Sequence, residues 1–374
     1  MSEIKKVMTI GGATQDIFIH HETPDMLDMR VDAKKKSYLL LEEGKKIDIS
    51  TLEYHTGGGA TNSAVVFRLL DFDVRTFFKL GPDKAAEFVL QRMAQDGIDT
   101  RFIVQDTQVQ TGTSFIIPCA GGDRVVFAYR GANAQLHADE FPLKEIAHAD
   151  QLYITSLTGK SSALLLPIAR HAKEHGVAVA TNPGSSQLVV GDVVLRQSLP
   201  YIDILILNAL EASVLMRTFA HTIDRLKCLL YQEAEQDGNR KKDLPRLLRG
   251  SIVYKDVCFD VRDFFKEVLQ QGPRVVVVTN GAEGVYVATH DGILFHPSLP
   301  TTVVSTLGAG DAFGATFVGS LLHGMLLEEA LVRGIINSAS VITKMGTKNG
   351  LLSLQELNKQ FKMTTTKKVQ RFGW

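Results

Sequence analysis

Residues 305–313 read Ser-Thr-Leu-Gly-Ala-Gly-Asp-Ala-Phe, and this stretch decides how the rest of the chain is interpreted. A β-branched run at 301–304 precedes it, and an apolar segment at 312–327 follows it. We therefore expect a strand, a tight glycine turn and the first turn of a helix, in that order. Gly308 and Gly310 can adopt backbone angles that are closed to other residues. Their N–H groups can then converge on one concavity at a helix N-terminus, where the helix dipole favours an anion.

A carboxylate stands directly beside this predicted anion hole. Phosphoryl transfer to a hydroxyl group needs both features, since N–H donors stabilise the developing charge and a base takes the proton. We therefore take Asp311 as the candidate base, and the backbone of Gly308, Ala309 and Gly310 as the candidate anion hole. The alternative for this tetrapeptide alone is an ordinary helix start, in which Asp311 complements the helix dipole.

A second glycine cluster supports the functional interpretation. Residues 57–64 read Gly-Gly-Gly-Ala-Thr-Asn-Ser-Ala, and residues 63–70 have a helical pattern. Three consecutive glycines are costly in chain entropy, so they indicate a place where a ligand approaches the backbone closely. Asn62 offers one donor and one acceptor at the entry to the helix. The alternative is a flexible linker, which would not normally run straight into an amphipathic helix.

Taken together, the two clusters resemble the two signatures of the ribokinase-like family of carbohydrate kinases, also called the PfkB family. The N-terminal signature is matched by Gly57-Gly58-x-x-x-Asn62-x-Ala64, and the C-terminal one by Gly308-Ala309-Gly310-Asp311. Three further elements occur in family order: Asn208-x-x-Glu211, Thr279-x-Gly281-x-x-Gly284, and Asn337 on a helix of small residues. The resemblance spans about residues 7–355. It implies a doubly wound, mostly parallel α/β sheet with helices on both faces and a small β-sheet lid.

The resemblance also implies a role for each matched residue. The residues implied to bind the sugar are Asp16, Gly57, Gly58 and Asn62. Those implied to bind the nucleotide, ATP, are Asn208, Glu211, Thr279, Gly281, Gly284 and Asn337. In the family, a pair such as Asn208 and Glu211 holds Mg²⁺ largely through water. Many relatives have an acid where this chain has Ser305, and that acid helps to bind an activating monovalent cation, so the resemblance does not extend to this cation.

Ordinary structural interpretations remain open for several of these residues. Asp16 follows the glycine pair after the first predicted strand, where ligands bind in open α/β sheets, but aspartate is also a common turn residue. Asn208 and Glu211 are one helical turn apart and face one side, which also suits a helix cap with an exposed acid. The motif from Thr279 to Gly284 suits a rim for phosphates, and equally a plain strand-turn-strand.

Short apolar runs alternate with helical segments along the chain. Buried parallel strands are predicted at 7–11, 151–155, 177–181, 202–207 and 274–279. We divide the chain into an α/β core of residues 1–16, 57–99 and 131–362, a β lid of 17–56 and 100–130, and a tail of 363–374. Residues 217–270 are a predicted insertion within the core, with an oligomer contact or a regulatory loop as the alternative.

Composition agrees with an enzyme that acts on small molecules. The 374 residues are 45% hydrophobic, and 41 basic residues balance 41 acidic ones, which argues against nucleic acid as a partner. No apolar run approaches the length of a membrane span, and the charged start of the chain does not resemble a secretory signal. Three scattered cysteines, Cys119, Cys228 and Cys258, indicate a reducing cytoplasm.

The acceptor stays open between several sugars and nucleosides. The stretch at 131–134 resembles one near the sugar lid of ribokinase, whereas Tyr129-Arg130 resembles relatives that bind acidic sugars such as 2-keto-3-deoxygluconate. Thr155-Ser156 lacks the acid that ribokinase uses on its sugar. We expect an ATP-dependent kinase acting on a hydroxymethyl group of a sugar. The alternatives are a nucleoside kinase and a catalytically silent relative that binds a sugar or nucleotide. Because a few strands bury little area, we expect the lid to be mobile or to pair in a homodimer.

Overall fold

The computed structural model describes residues 3–21, 25–31, 34–119, 123–189, 192–219, 243–250, 252–254, 257–364 and 368–374. Its strands, in chain order, are β1 (Lys6–Ile10), β2 (Thr14–His20), β3 (Met26–Val31), β4 (Lys34–Leu39), β5 (Thr51–Gly57), β6 (Asp73–Phe77), β7 (Lys79–Leu80), β8 (Val104–Gln105), β9 (Gly112–Pro118), β10 (Arg124–Tyr129), β11 (Gln151–Ile154), β12 (Ala178–Thr181), β13 (Ile204–Asn208), β14 (Ile252–Tyr254), β15 (Val257–Phe259), β16 (Val275–Thr279), β17 (Val285–Thr289), β18 (Gly292–His296) and β19 (Gln370–Phe372).

Helices lie between many of these strands. They are α1 (Gly59–Leu69), α2 (Lys84–Gln95), α3 (Leu143–Ile146), α4 (Leu165–Glu174), α5 (Ser185–Val189), α6 (Asp192–Ser198), α7 (Ala209–Thr218), α8 (Arg246–Arg249), α9 (Val261–Gln270), α10 (Ala309–Leu322), α11 (Leu327–Val341) and α12 (Leu354–Met363). Within the described ranges, no helix is both long enough and apolar enough to cross a bilayer.

A nine-stranded central sheet organises the molecule. Its strand order is β19-β18-β17-β16-β13-β12-β11-β1-β6, and the six strands from β16 to β6 are parallel. The five strands predicted from apolar runs all lie in this parallel part, so those predictions are confirmed. Neighbouring side chains on one strand enter different cores, as Val276 and Val278 pack on one face and Val277 on the other. Helices therefore cover both faces, which makes the sheet doubly wound.

A second, four-stranded sheet stands beside the central one, and we call it the small sheet. Its order is β10-β9-β2-β5, with β2 and β9 parallel and the outer pairs antiparallel. The chain enters it directly from β1 through residues 11–13. Its strands fall at residues 14–57 and 112–129, and β3 and β4 form a separate hairpin inside the first of these segments. Strand β8, which falls in the predicted lid segment 100–130, pairs with β7 instead.

The strand expected at residues 301–304 is not formed. This stretch has no regular structure, and the N–H groups of Val304 and Ser305 both donate to the carbonyl of Ile342. Both edges of β18 are already paired, with β17 on one side and β19 on the other. The preceding strand, β18, therefore offers these β-branched residues no free edge, and their local preference for a strand is not realised.

Two segments of the predicted domain division are partly described by the structure. Part of the predicted tail at 363–374 forms β19, which extends the central sheet. Of the predicted insertion at 217–270, residues 220–242 lie outside the described residues. Its last part forms α9, whose Phe264 and Phe265 are completely buried, so these residues belong to the core.

Candidate active site

The glycine turn before α10 has the geometry expected of an anion hole. Gly308 precedes the helix in the left-handed region with φ 80°, and a Cβ there would come within 2.8 Å of the Thr347 carbonyl. Gly310 is different, because a Cβ added to it would meet open space. In the described part of the chain, no side chain caps the first turn of α10. The N–H group of Ala309 makes a long bond of 3.4 Å to the Thr306 carbonyl. The start of a helix favours an anion, so the expected anion hole at this turn stays a prediction.

Asp311 lies in this first turn and is fixed by a residue from the other glycine cluster. Asn62 Nδ2 on α1 donates a hydrogen bond of 2.7 Å to Asp311 Oδ2. Burial raises the pKa of Asp311, the nearby charge of Asp16 raises it further, and the Asn62 bond and Lys348 oppose this change. A carboxylate with a raised pKa that one donor holds in place suits proton transfer near neutral pH.

Asp16 on β2 is buried, and it is near enough to Asp311 for its charge to act on that residue. Only 4% of the residue is exposed, and Thr14 Oγ1 donates to its Oδ1 at 2.8 Å. Burial raises the pKa of Asp16, whereas hydrogen bonds from Thr14 and Ser114 lower it. A buried, bonded carboxylate that interacts electrically with the candidate base is well placed to bind acceptor hydroxyl groups.

The three consecutive glycines are explained by contacts within the protein. A Cβ on Gly57 would overlap the Asp16 carboxylate, one on Gly58 would lie 2.6 Å from Ala13 Cα, and one on Gly59 would lie 2.5 Å from Thr155 Oγ1. Gly58 also has φ 92°, which other residues rarely adopt. Each glycine therefore has a reason within the protein, and a close approach by a ligand is not needed to explain it. A sugar contact at Gly57 and Gly58 stays a prediction.

A cavity of about 420 Å³ adjoins the anion hole, a size that suits a small-molecule ligand. It lies between the β16–β17 turn, the segment before α10, and α11. Its walls are mostly apolar, and its lining includes Thr279, Gly281, Val285, Ala309, Gly310, Phe313, Ser338 and Ala339. Gly281 has φ 53° and open space where a Cβ would point. A separate cavity of about 640 Å³, between the small sheet and residues 39–50, contains none of the predicted site residues.

Two residues predicted to bind the nucleotide instead shape the walls of this cavity. Asn337 is fully buried, its Nδ2 donates to Thr316 Oγ1 at 2.7 Å, and its Oδ1 accepts from Leu352 N at 3.0 Å. Its neighbours on α11 line the cavity in its place. Gly284 has φ 124°, and a Cβ there would lie 2.8 Å from Pro297 Cα, so it is needed for the turn itself.

Asn208 and Glu211 form a reciprocal cap at the start of α7. Asn208 Oδ1 accepts from Glu211 N, and Glu211 Oε2 accepts from Asn208 N, both at 2.8 Å. Burial raises the pKa of Glu211, and the charge of Asp311 raises it further. The pair is thus a helix cap and also an acid that interacts electrically with the candidate base. The described residues contain no cluster of three or more His, Cys, Asp or Glu side chains able to hold a metal ion.

Three further residues join the site without having been predicted. Thr347 Oγ1 donates to Asn62 Oδ1 at 2.8 Å, and Lys348 Nζ donates to Thr56 and Thr61. Arg124 on β10 donates through Nη1 to Thr306 Oγ1, which links the small sheet to the rim of the cavity. In sequence, residues 347–350 have the pattern of an exposed polar turn, so only the tertiary structure indicates that Lys348 is partly buried.

Comparisons with known proteins identify the family and agree with the fold. Residues 26–237 and 259–354 match the model of the pfkB family of carbohydrate kinases. The chain is 23% identical to a ribokinase of Staphylococcus aureus over 319 residues, which is 85% of this chain and 92% of that protein. An Arabidopsis thaliana ribokinase, solved with ribose and ATP, superposes with a TM-score of 0.72 at 18% identity, covering 97% of this chain and all of that one. A Burkholderia thailandensis nucleoside kinase, solved with inosine, gives 0.69 at 16% identity, covering 96% and 98%.

The fold and these residues thus define an α/β protein in which Asn62 on α1 holds Asp311 at the glycine-flanked start of α10. Because the family model matches most of its length, the chain belongs to the pfkB family of carbohydrate kinases. ATP-dependent phosphorylation of a sugar is the activity of that class.

Gly57→Ala tests why a glycine is required beside Asp16. We expect the added methyl group to lower the free energy of unfolding by about 1–3 kcal/mol, because it overlaps the buried carboxylate. In an Asp16→Ala background, where that carboxylate is absent, the same change is expected to cost much less. Urea unfolding of the four proteins measures the coupling. Equal costs of Gly57→Ala in both backgrounds would show that Asp16 is not the reason for the glycine.

Proposed function

We propose that this chain transfers the γ-phosphoryl group of ATP to a hydroxymethyl group of a sugar, with Asp311 as the general base. One observation carries the proposal: the Asp311 carboxylate is bonded to Asn62 and lies beside an uncapped, glycine-lined helix start. Asp16 supplies a second buried carboxylate on the acceptor side. This arrangement provides a base for the proton, donors for the phosphate charge and a group to orient the acceptor.

Each of these residues has a separate role in the proposed reaction. Asp311 takes the proton of the acceptor hydroxyl as that oxygen bonds to the γ-phosphorus, and ADP leaves from the opposite side. Backbone N–H groups of Gly308, Ala309 and Gly310 bind the phosphoryl oxygens, whose negative charge the start of α10 favours. Thr279 and Gly281 line the neighbouring cavity and accommodate the nucleotide.

A magnesium ion fits the residues near this cavity. Glu211 uses Oε2 in the cap of α7, which leaves Oε1 available, and its raised pKa indicates an acid that a nearby cation would stabilise. Asn208 can contact the ion through water, as is usual for Mg²⁺, which keeps several waters. When bound, the ion supplies positive charge to the phosphates. The donors of Asn208 and Glu211 are the ones we assign to it.

Nucleosides are the second acceptor class that we consider, because one of the structural neighbours is a nucleoside kinase. A catalytically silent relative is disfavoured, because Asp311 and its bond to Asn62 are intact. We also assign the reaction to the cytoplasm, where ATP is available and the scattered thiols would stay reduced.

An assay of ADP formation over pentoses, hexoses, keto-sugar acids and nucleosides tests this function. We expect one acceptor class to stimulate ADP formation strongly, and Asp311→Asn to lower kcat by about two to four orders of magnitude, because it keeps the shape but loses the base. Nucleotide binding, measured by calorimetry, is expected to change little. Asp291→Asn, on the exposed turn between β17 and β18, serves as the matched control. An Asn variant at position 311 with wild-type kcat would rule out the base.

The small sheet is proposed to act as a lid. Arg124 on β10 reaches Thr306 at the rim of the cavity, so the two sheets already touch on the nucleotide side. An open cleft would let water compete with the acceptor for the phosphoryl group, which gives closure a chemical purpose.

Hydrogen exchange with and without a saturating acceptor measures the closure. We expect amides of β9 and β10 to exchange more slowly once the acceptor is bound, because the cleft between the sheets closes over it. The internal control is β16, whose Val276, Val277 and Val278 are fully buried and should not change. Unchanged exchange in both lid strands at saturation would contradict the proposal.

The outer face of the small sheet is proposed to pair with the same face of a second copy. Phe127, Phe115, Ile17 and Tyr54 lie in one row across its four strands, and three of these side chains are exposed. A continuous apolar row of this kind is typical of an interface.

Sedimentation velocity tests the pairing. We expect a dimer for the wild type and a shift to monomer for Phe127→Glu, because the new charge would be buried without a partner. Met363→Glu, at an exposed apolar side chain on α12, is the control and should leave the mass unchanged. A monomeric wild type at the concentrations used for the assay would reject the dimer.

A further inference from the structure

Lys348 enters the junction between β5 and α1 from the loop that follows α11. Its Nζ donates to Thr56 O at 2.8 Å, to Thr56 Oγ1 at 2.9 Å and to Thr61 Oγ1 at 3.0 Å. An ammonium group has three N–H donors, so these three acceptors account for all of them. Thr56 and Thr61 lie on either side of the triple glycine. The lysine therefore joins both ends of the segment that faces Asp16.

The neighbouring Thr347 extends this linkage to the base. Its Oγ1 donates to Asn62 Oδ1 at 2.8 Å, which leaves the Asn62 amide NH₂ to donate to Asp311 Oδ2 at 2.7 Å. A reversed amide would place two acceptors together on the Asp311 side. The loop that carries Thr347 and Lys348 thus fixes the orientation of the group that holds the candidate base.

The charge of Lys348 acts on both acids of the site. Burial lowers the pKa of Lys348 to about 7, and the charges of Asp16 and Asp311 oppose that change. In return, the lysine lowers the pKa values of Asp16 and Asp311. At the C-terminal end of α2, Asp96 just after the helix also favours the charged lysine, and Arg92 in its last turn disfavours it. His55 and Tyr54 of β5 line the small cavity of about 50 Å³ beside it.

We propose that Lys348 is a positioning residue of the phosphoryl-transfer site, which orders the β5–α1 junction and favours the ionised forms of Asp16 and Asp311. The inference rests on the proposed kinase function and goes beyond it, because neither glycine signature contains this lysine. Its protonated form supplies three donors and a positive charge. Its neutral form supplies two donors and no charge, so the junction loosens when the proton leaves.

The pH dependence of kcat/KM separates this role from a purely structural one. For the wild type we expect kcat/KM to fall on the alkaline side, with an apparent pKa near the value of about 7 for Lys348. Lys348→Arg stays charged and is expected to lose this alkaline fall. Lys348→Met is expected to lower kcat/KM about 10- to 100-fold, through misplacement of the junction. Its acid limb should move to higher pH, because the carboxylates lose the nearby positive charge.

Lys344→Met is the matched control, since this exposed lysine lies in the same loop. It is expected to keep the wild-type profile. If Lys348→Met instead has a lower kcat/KM with the same acid and alkaline pKa values as the wild type, Lys348 is only a structural contact and the proposal is overturned. A variant with unchanged kcat/KM would overturn it as well.

A second measurement does not depend on catalysis. In protein labelled with ¹³C at lysine Cε, NMR titration should show one lysine with a pKa near the value of about 7, and its signal should be missing in Lys348→Met. Asp16→Asn should lower that pKa, because it removes a negative charge. If Asp16→Asn lowers the pKa of Lys348 but the protein phosphorylates no acceptor, the proposed function is rejected. If the protein phosphorylates an acceptor but Asp16→Asn leaves the pKa of Lys348 unchanged, the role of Lys348 is rejected and the proposed function is kept.

Discussion

The hydrogen bond from Asn62 to Asp311 joins residues that are 249 positions apart, and the site depends on it. It requires α1 and α10 to lie side by side on one face of the central sheet, where they pack against each other. Small residues make this possible. A Cβ on Gly314 of α10 would overlap the Tyr153 hydroxyl, and one on Gly319 would lie 2.8 Å from Leu70 Cδ1. Close packing of the helices thus determines where the base is held.

Electrostatics in this region are dominated by acids that are costly to ionise. Burial raises the pKa values of Asp16, Glu211 and Asp311, and the charge of Asp311 raises that of Glu211 further. Such an arrangement is unfavourable on its own and indicates a site that is completed by cations and by donors from ligands. Lys348 offsets part of this cost from behind the acceptor side. Near Glu211, the magnesium ion that we propose would do the same.

Features that depend on local pattern could be predicted from the sequence. The five parallel strands were predicted correctly because apolar runs record burial on both faces. The turn at Gly308 was predicted correctly because only glycine readily adopts its angles. The strand expected at 301–304 failed for a non-local reason, since β19 from the end of the chain occupies the edge of β18. Lys348 was missed for a similar reason: a lysine in a polar stretch normally lies in solvent, and only the junction of β5 and α1 encloses it.

The connection between the two sheets limits how the site can move. Asn133 holds Ala13 at the exit of β1, since Ala13 N donates to its Oδ1 at 2.9 Å and its Nδ2 donates to Ala13 O at 2.7 Å. Lys348 holds the small sheet where the chain leaves it, at the end of β5, through its bond to Thr56 O. Both anchors are close to Asp16, so this end of the small sheet stays aligned with Asp311. Ser114 of β9 also hydrogen-bonds to Asp16, so motion is left to the far end of β9 and β10, where Pro118 pairs with Arg124. The lid that we propose would close at this end, where Arg124 donates to Thr306, while the part of the small sheet around Asp16 keeps its place.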